Sequence, residues 1–165
     1  MDLAHSHIVV LGAGKRLGLF LTHHFLKAGA NISAFYRSPS AELASLLDQF
    51  PSSLRISQFD LESPERVAPL MNDCLGSFGE VSGVVCVASQ FYPTPFSQLT
   101  PQQWDELFAT NVKGHFFFLQ ALIPFFKEPS HLLTLVDIFA RKPLRNYLAY
   151  TSAKGALLTM SRNLS

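Results

Sequence analysis

The sequence predicts an α/β fold, a doubly wound parallel sheet with helices on both faces, from three observations. Short β-rich apolar runs alternate with amphipathic segments along the chain, a pattern that calls for parallel strands joined by right-handed crossovers. The first run passes through a glycine-rich turn directly into a helical segment that closes on a glycine. Two later helices are announced by a capping residue followed by proline.

The first strand is the run His7-Ile8-Val9-Val10-Leu11, with residues 8–11 its apolar part. A helix over 17–28 follows and stops at Gly29. Further strands are expected at 31–36, 54–59, 83–88 and 132–138, and further helices at 40–49, 64–78, 101–123 and 147–164. Ser63-Pro64 and Thr100-Pro101 open two of the helices, and Thr100 with Gln103 forms a capping box. No repeat, linker or low-complexity tract interrupts the alternation, so residues 1–165 read as one domain.

With 48% hydrophobic and 15% charged residues the chain is globular and large enough for a substantial core. A net charge of +1 offers no electrostatic footprint for nucleic acid, and the nearest basic cluster is Arg141-Lys142 with Arg145. Cys74 and Cys86 lie in unrelated segments, so both are expected as buried, reduced thiols. No leader opens the chain, and its longest apolar run, over 116–126, is broken by Gln120 and Pro124. The expectation is a soluble cytoplasmic protein without a membrane partner. His23-His24, His5 and His7 lack ligand spacing with any acid or cysteine, and no metal is expected.

Two segments carry chemistry. In Gly12-Ala13-Gly14-Lys15-Arg16-Leu17-Gly18, Gly12 permits a tight turn, Gly14 lets the backbone approach a pyrophosphate, and Gly18 lets the helix pack against the strand. Free N–H groups at the helix start would receive the anion. The spacing is one residue longer than the common dinucleotide fingerprint, and no Gly-Lys-Ser/Thr closes a P-loop. In strand–turn–helix context this reads as a Rossmann-like, NAD(P)-binding element. The second segment holds Tyr150 four residues before Lys154 and thirteen after Asp137. A phenol and an ammonium one helical turn apart share a face, and the cation is expected to lower the tyrosine's pKa. The plain alternative is a solvated helix pair.

Together these segments resemble the short-chain dehydrogenase/reductase family, and in detail its pteridine reductase branch. That branch carries Gly-Ala-Ala-Lys-Arg-Leu-Gly in its phosphate loop, has arginine where most of the family has glycine (here Arg16), and has aspartate where most have serine (here Asp137). Ala88-Ser89-Gln90-Phe91-Tyr92-Pro93-Thr94-Pro95 is similar to its Ala-Ser-Ser-Phe-Tyr-Pro-Thr-Pro. The resemblance implies an NADPH-dependent oxidoreductase acting on a small molecule, a pterin or a related C=N or C=O substrate. Tyr150 would donate the proton, Lys154 would assist it and hold the nicotinamide ribose, Asp137 would orient or help protonate the pterin, and Asn111 would support the relay's water and lysine. Gly12, Gly14, Lys15, Arg16, Leu17, Gly18 and Ser89 would line the cofactor, Asp60-Leu61 would meet the adenine, and Phe91 would stack on the pterin. The second strand ends Phe35-Tyr36-Arg37-Ser38, without the acid of NAD-preferring folds, so Arg37 and Ser38 would read a 2′-phosphate and NADP is the expected cofactor.

Plainer roles remain for each: a loop arginine at 37, a helix-flanking acid at 60, a turn cap at Asp137, a structural hydrogen bond at Asn111 and a core aromatic at Phe91. Leu11 and Cys86-Val87 depart from the family's threonine and Asn-Asn. Relatives continue past Ser165 with two more strands, another helix and a substrate loop, so the last strands are expected to be missing and full activity is in question. The other reading is a nucleotide-binding or dimerisation module without turnover. The helices over 101–123 and 147–164, used by the family for dimer contacts, imply a homo-oligomer either way.

Overall fold

The computed structural model of the protein describes residues 3–76 and 78–164, so Ser77, within the expected 64–78 helix, lies outside the described residues. Five strands form one parallel sheet: β1 (His7–Leu11), β2 (Asn31–Tyr36), β3 (Leu54–Gln58), β4 (Val81–Cys86) and β5 (Phe126–Thr134), in the order β3-β2-β1-β4-β5. Strand order therefore reverses between β1 and β4, which opens a crevice at their C-terminal ends.

Six α-helices cover the sheet: α1 (Arg16–Lys27), α2 (Ala41–Gln49), α3 (Val67–Leu75), α4 (Pro101–Phe108), α5 (Gly114–Leu122) and α6 (Leu148–Asn163). Because strand side chains alternate, Ile8 and Val10 pack with Leu26, Leu43 and Leu46 under α1 and α2, while Val9 and Leu11 pack with Met71, Phe118 and Leu122 under α3 and α5. Phe118 sits edge-on to Phe35 at 4.9 Å and beside Phe59 at 5.7 Å, each pair adding about 1 kcal/mol beyond area burial. The doubly wound prediction holds.

Boundaries moved where local signals and tertiary contacts disagree. Thr100 makes the expected capping box with Gln103, and Ser40 caps α2 through Leu43 N–H. Ser63 supplies no side-chain cap; a 3₁₀ turn, Pro64–Arg66, precedes α3 instead. The predicted 101–123 helix is broken by a π-helical turn, Ala109–Lys113, and ends in a 3₁₀ turn at Ile123–Phe125, where Pro124 lacks an N–H. The last strand is displaced from 132–138 to Phe126–Thr134. Pairing with β4 stops at Cys86↔Thr134, and Leu135 N–H makes the final bond to the Cys86 carbonyl. Beyond Cys86, Val87 and Ala88 turn their N–H groups to the Leu11 carbonyl, so residues 136–138 have no ladder to join.

Two glycines fix the first turn. Gly12 has φ +99°, and a Cβ there would stand 2.6 Å from Ala88 N. A Cβ at Gly18 would collide with the Gly12 carbonyl. Gly18→Ala is expected to cost about 3 kcal/mol by urea denaturation, whereas Gly155→Ala in α6 should stabilise by up to about 1 kcal/mol. The Gly155 Cβ would meet only the Ala140 carbonyl, at 3.6 Å. A Gly18→Ala protein as stable as the parent would mean that α1 does not sit this close to β1.

Candidate active site

The crevice begins at the turn after β1. Gly12 and Ala13 N–H groups both donate to the Phe35 carbonyl at 2.9 Å, which ties the turn to β2. Arg16 has φ +51°, a left-handed value that accounts for a glycine preference at that position. Lys15, the residue that precedes α1, supplies no side-chain cap, so the amides of the first turn face the crevice mouth without a side-chain oxygen. Lys15, Arg16 and Leu17 are exposed there, as are Arg37 and Ser38 after β2. Gly14 lies against this second segment: a Cβ on it would stand 3.2 Å from Tyr36 Cβ and 3.5 Å from the Ser38 carbonyl. This donor set, cationic and open, fits the phosphates of a nicotinamide dinucleotide.

Asp60 and Leu61 behave differently. The Asp60 carboxylate accepts from Glu62 N–H at 3.0 Å, which makes it a turn cap in this structure. Leu61 is buried, and its side chain packs on Gly114 of α5. With its side chain packed inward, Leu61 would meet a nucleotide through its backbone.

On the far wall, α6 carries Tyr150 and Lys154 inward. Tyr150 Oη donates to Asp137 Oδ2 at 2.7 Å, while Asp137 Oδ1 accepts from Phe139 N–H at 3.0 Å. Asp137 thus caps the 3₁₀ turn Ile138–Ala140 and grips the tyrosine at once. Lys154 is 2% exposed, donates to the Leu135 carbonyl at 3.4 Å, and holds Nζ 5.8 Å from the centre of the Tyr150 ring. Burial pushes Lys154 down to about 8, and the Asp137 charge offsets part of that.

The tyrosine's shift runs against the expectation from spacing. Burial, then the hydrogen bond to Asp137 and the charge of Asp137, hold the Tyr150 phenol well above its ordinary value. The nearby ammonium does not bring it below its ordinary value, because burial and the hydrogen bond donated to the carboxylate both favour the protonated phenol. Tyr150 keeps its proton. Chemically, that is a hydroxyl poised to give a proton rather than a phenolate waiting for one.

Asn111 is fully buried in the π turn. Its Nδ2 donates to the carbonyls of Gln90 and Leu107, both at 3.0 Å, and its Oδ1 accepts from Ser89 Oγ at 2.7 Å. Its side-chain polar groups hold the loop that follows β4 and the preceding turn of its own helix. Phe91, on that loop, is 53% exposed; it stacks on Tyr147 at 4.5 Å and 12° and meets Tyr150 edge-on at 4.7 Å. Phe91 is a wall of the crevice and not a core residue.

Sequence reasoning missed Tyr147, although its place three residues before Tyr150 on the same helix face was a usable signal. It also missed Gln90, whose Oε1 accepts from Thr110 Oγ1 at 3.0 Å, and His115, whose ring is buried beside the π turn. Among the described residues, no group of three or more His, Cys, Asp or Glu could hold a metal ion, and no helix is long and apolar enough to cross a membrane.

A family model described as short chain dehydrogenase matches residues 6–165. Among curated proteins, the chain is 24% identical over 162 residues to a vibriobactin-specific 2,3-dihydro-2,3-dihydroxybenzoate dehydrogenase of Vibrio cholerae, covering 95% of this chain and 62% of that protein. It is 23% identical over 158 residues to an uncharacterised oxidoreductase of Staphylococcus epidermidis, covering 94% of this chain and 68% of the relative. The fold is shared with a short-chain dehydrogenase/reductase structure from Brucella melitensis (glucose/ribitol dehydrogenase), at TM-score 0.92 and 22% identity over 100% of this chain and 71% of the other. A Serratia marcescens short-chain dehydrogenase/reductase gives TM-score 0.91 at 16% identity, over 99% and 69%. The chain therefore spans roughly two thirds of the length of the proteins it matches.

The buried His115 makes stability depend on pH. Burial and the Lys154 charge push it down to about 4, so it is neutral in the folded protein while the unfolded chain takes up a proton below 6.5. The unfolded state then binds more protons, and stability falls as pH drops from about 6.5 to about 4, by roughly 3 kcal/mol in all. Urea midpoints at pH 7.5, 6 and 5 should decline accordingly and decline less in His115→Leu. Equal slopes in the two proteins would remove His115 as the cause.

Proposed function

The chain belongs to the short-chain dehydrogenase family, whose members are oxidoreductases that bind a nicotinamide dinucleotide, and from that premise we propose that it reduces a flat C=N or C=O substrate of pterin type with NADPH. The observation that carries this reading is the Tyr150–Asp137 hydrogen bond at 2.7 Å, with the buried Lys154 behind it, on the crevice wall that faces the glycine turn. An aspartate in that place, where most of the family has serine, favours the pteridine-type branch.

The glycine turn from Gly12 to Gly18 and the start of α1 would receive the pyrophosphate, and Arg37 and Ser38, with Lys15 and Arg16 nearby, would meet a 2′-phosphate. When bound, the dinucleotide supplies a hydride to the substrate carbon. Tyr150 gives its proton to the substrate nitrogen or oxygen, which completes the addition across the double bond. Lys154, charged below about pH 8, stabilises the phenolate left behind until solvent returns a proton to it. Asp137, which holds the Tyr150 hydroxyl beforehand, is placed to turn its carboxyl toward a polar pterin edge. The Phe91–Tyr147 stack offers a face to a flat heteroaromatic ring. Exposed Trp104, Phe116, Phe117 and Leu148 on the outer helices fit burial in a homo-oligomer.

Nicotinamide fluorescence should show NADPH binding more tightly than NADH, and Arg37→Ala should weaken NADPH by about 10- to 100-fold while leaving NADH nearly unchanged. Equal affinities in the parent chain would defeat the NADP assignment. With NADPH and a pterin, Tyr150→Phe should lose about 10²- to 10⁴-fold in kcat, and kcat/KM of the parent should decline above pH about 8. Nucleotide binding with no turnover at any pH would favour the non-catalytic module instead.

A further inference from the structure

Buried polar atoms of two side chains close to Lys154 have no hydrogen-bond partner among the described residues. His115, the second residue of α5, is 1% exposed, and both ring nitrogens are unpartnered. Backbone groups of Thr110 and Ala88 approach the ring without reaching hydrogen-bond geometry. The second group is the hydroxyl of Thr134, the last residue of β5. Thr134 is paired with Cys86, so the two side chains share a face of the sheet, and Cys86 points into the layer under α3 and α5. Leu135, next in the chain, gives its carbonyl to Lys154 Nζ.

A polar group left unpaired in the interior costs about 1–3 kcal/mol, and natural proteins satisfy such groups with ordered water where two or more polar partners surround it. The ring of His115 is neutral, held so by burial and by the charge of Lys154. A neutral imidazole keeps one acceptor nitrogen, which a cation's hydration can use. We infer that His115 is a positioning residue for Lys154: its neutral ring, with the Thr134 hydroxyl, fixes a buried water behind the ammonium and so holds the lysine in its charged form. The other ionisable groups facing this spot are Asp137 from the segment after β5, Tyr150 from α6 and Cys86 from β4. Asp137 also favours the charged lysine, whereas burial pushes the Cys86 thiol up to about 12 and keeps it uncharged.

The kinetic consequence rests on the reading of Lys154 given above, but the electrostatic one belongs to the chain itself and is measured without nucleotide. The experiment is a ¹³C titration of lysine-labelled full chain, with the Lys154 signal identified by its loss in Lys154→Arg. His115→Leu fills the space without an acceptor and should lower the Lys154 midpoint by about one pH unit. His115→Asn restores an acceptor and should bring it back most of the way. Thr134→Val should shift it in the same direction as His115→Leu, by less, and carries the test if His115→Leu does not fold. A midpoint within about 0.2 units of the parent in the folded variants overturns the inference. So does a doubly protonated His115 ring at pH 6 in the ¹⁵N spectrum. If the chain turns over, the high-pH limb of kcat/KM should move with the NMR midpoint. A shifted midpoint in a chain that shows no turnover would count against the proposed function and leave the role of His115 standing.

Discussion

The fold hangs on the close approach of three backbones where β1 ends. The Leu11 carbonyl accepts both Val87 and Ala88 N–H at 3.0 Å, and the Phe35 carbonyl accepts both Gly12 and Ala13 N–H. The chain leaving β1 is thereby tied to β4 on one side and to β2 on the other. No side chain fits at Gly12, where Ala88 stands, or at Gly18, where the Gly12 carbonyl stands. Because these groups pack without side chains between them, α1 starts directly over the end of the strand and its first amides open into the crevice. The same approach ends the β4 ladder at Cys86, which ends β5 at Thr134 and frees the residues after Leu135 to turn toward α6. Asp137 reaches Tyr150 because of a constraint set more than a hundred residues earlier.

Much of this was legible in the sequence, for identifiable reasons. The strand Asn31–Tyr36 and the turn Gly12–Gly18 are specified locally, by apolar alternation and by residues that only one backbone path tolerates. The π turn at Ala109–Lys113 carries no proline or cap to announce it; it follows from Asn111 finding partners in the loop after β4 and from Gly114 being pressed against Leu61. The exposed edge strand β5 begins with polar residues, Lys127, Glu128 and Ser130, so apolar periodicity found only its last part and overran its end. Within the site, spacing correctly put Tyr150 near Lys154 but could not reveal how deeply the phenol is buried or that it donates a hydrogen bond to Asp137. Burial, with that hydrogen bond and the Asp137 charge added to it, moved the tyrosine's pKa up instead of down.

The electrostatics of the site form a graded set. Tyr150 holds its proton firmly, Lys154 holds its own only up to about pH 8, and His115 is neutral down to about pH 4. The common cause is burial, which disfavours whichever form is charged and so moves an acid up and two bases down. Asp137 acts on both neighbours at once: its charge raises Tyr150 and partly restores Lys154. The carboxylate at this position therefore makes the tyrosine's proton harder to remove and the lysine's easier to keep.

The aromatic side chains lining the crevice are set by the irregularity in the helix behind them. Asn111 spends all of its polar capacity on Ser89, Gln90 and Leu107, and Thr110 adds a bond to the Gln90 side chain. These bonds fix the 89–90 segment, and the next residue is Phe91, whose ring is then held against Tyr147 and Tyr150. Thr94, a few residues on, is tied to the start of α6 through the Asn146 carbonyl. The aromatic wall is thus pinned at both ends, by the π turn and by the helix that carries Tyr150. The Phe91 ring is thereby located relative to the Tyr150 hydroxyl through short covalent and hydrogen-bonded paths. Asn111 thus sets the position of the aromatic wall through purely structural contacts.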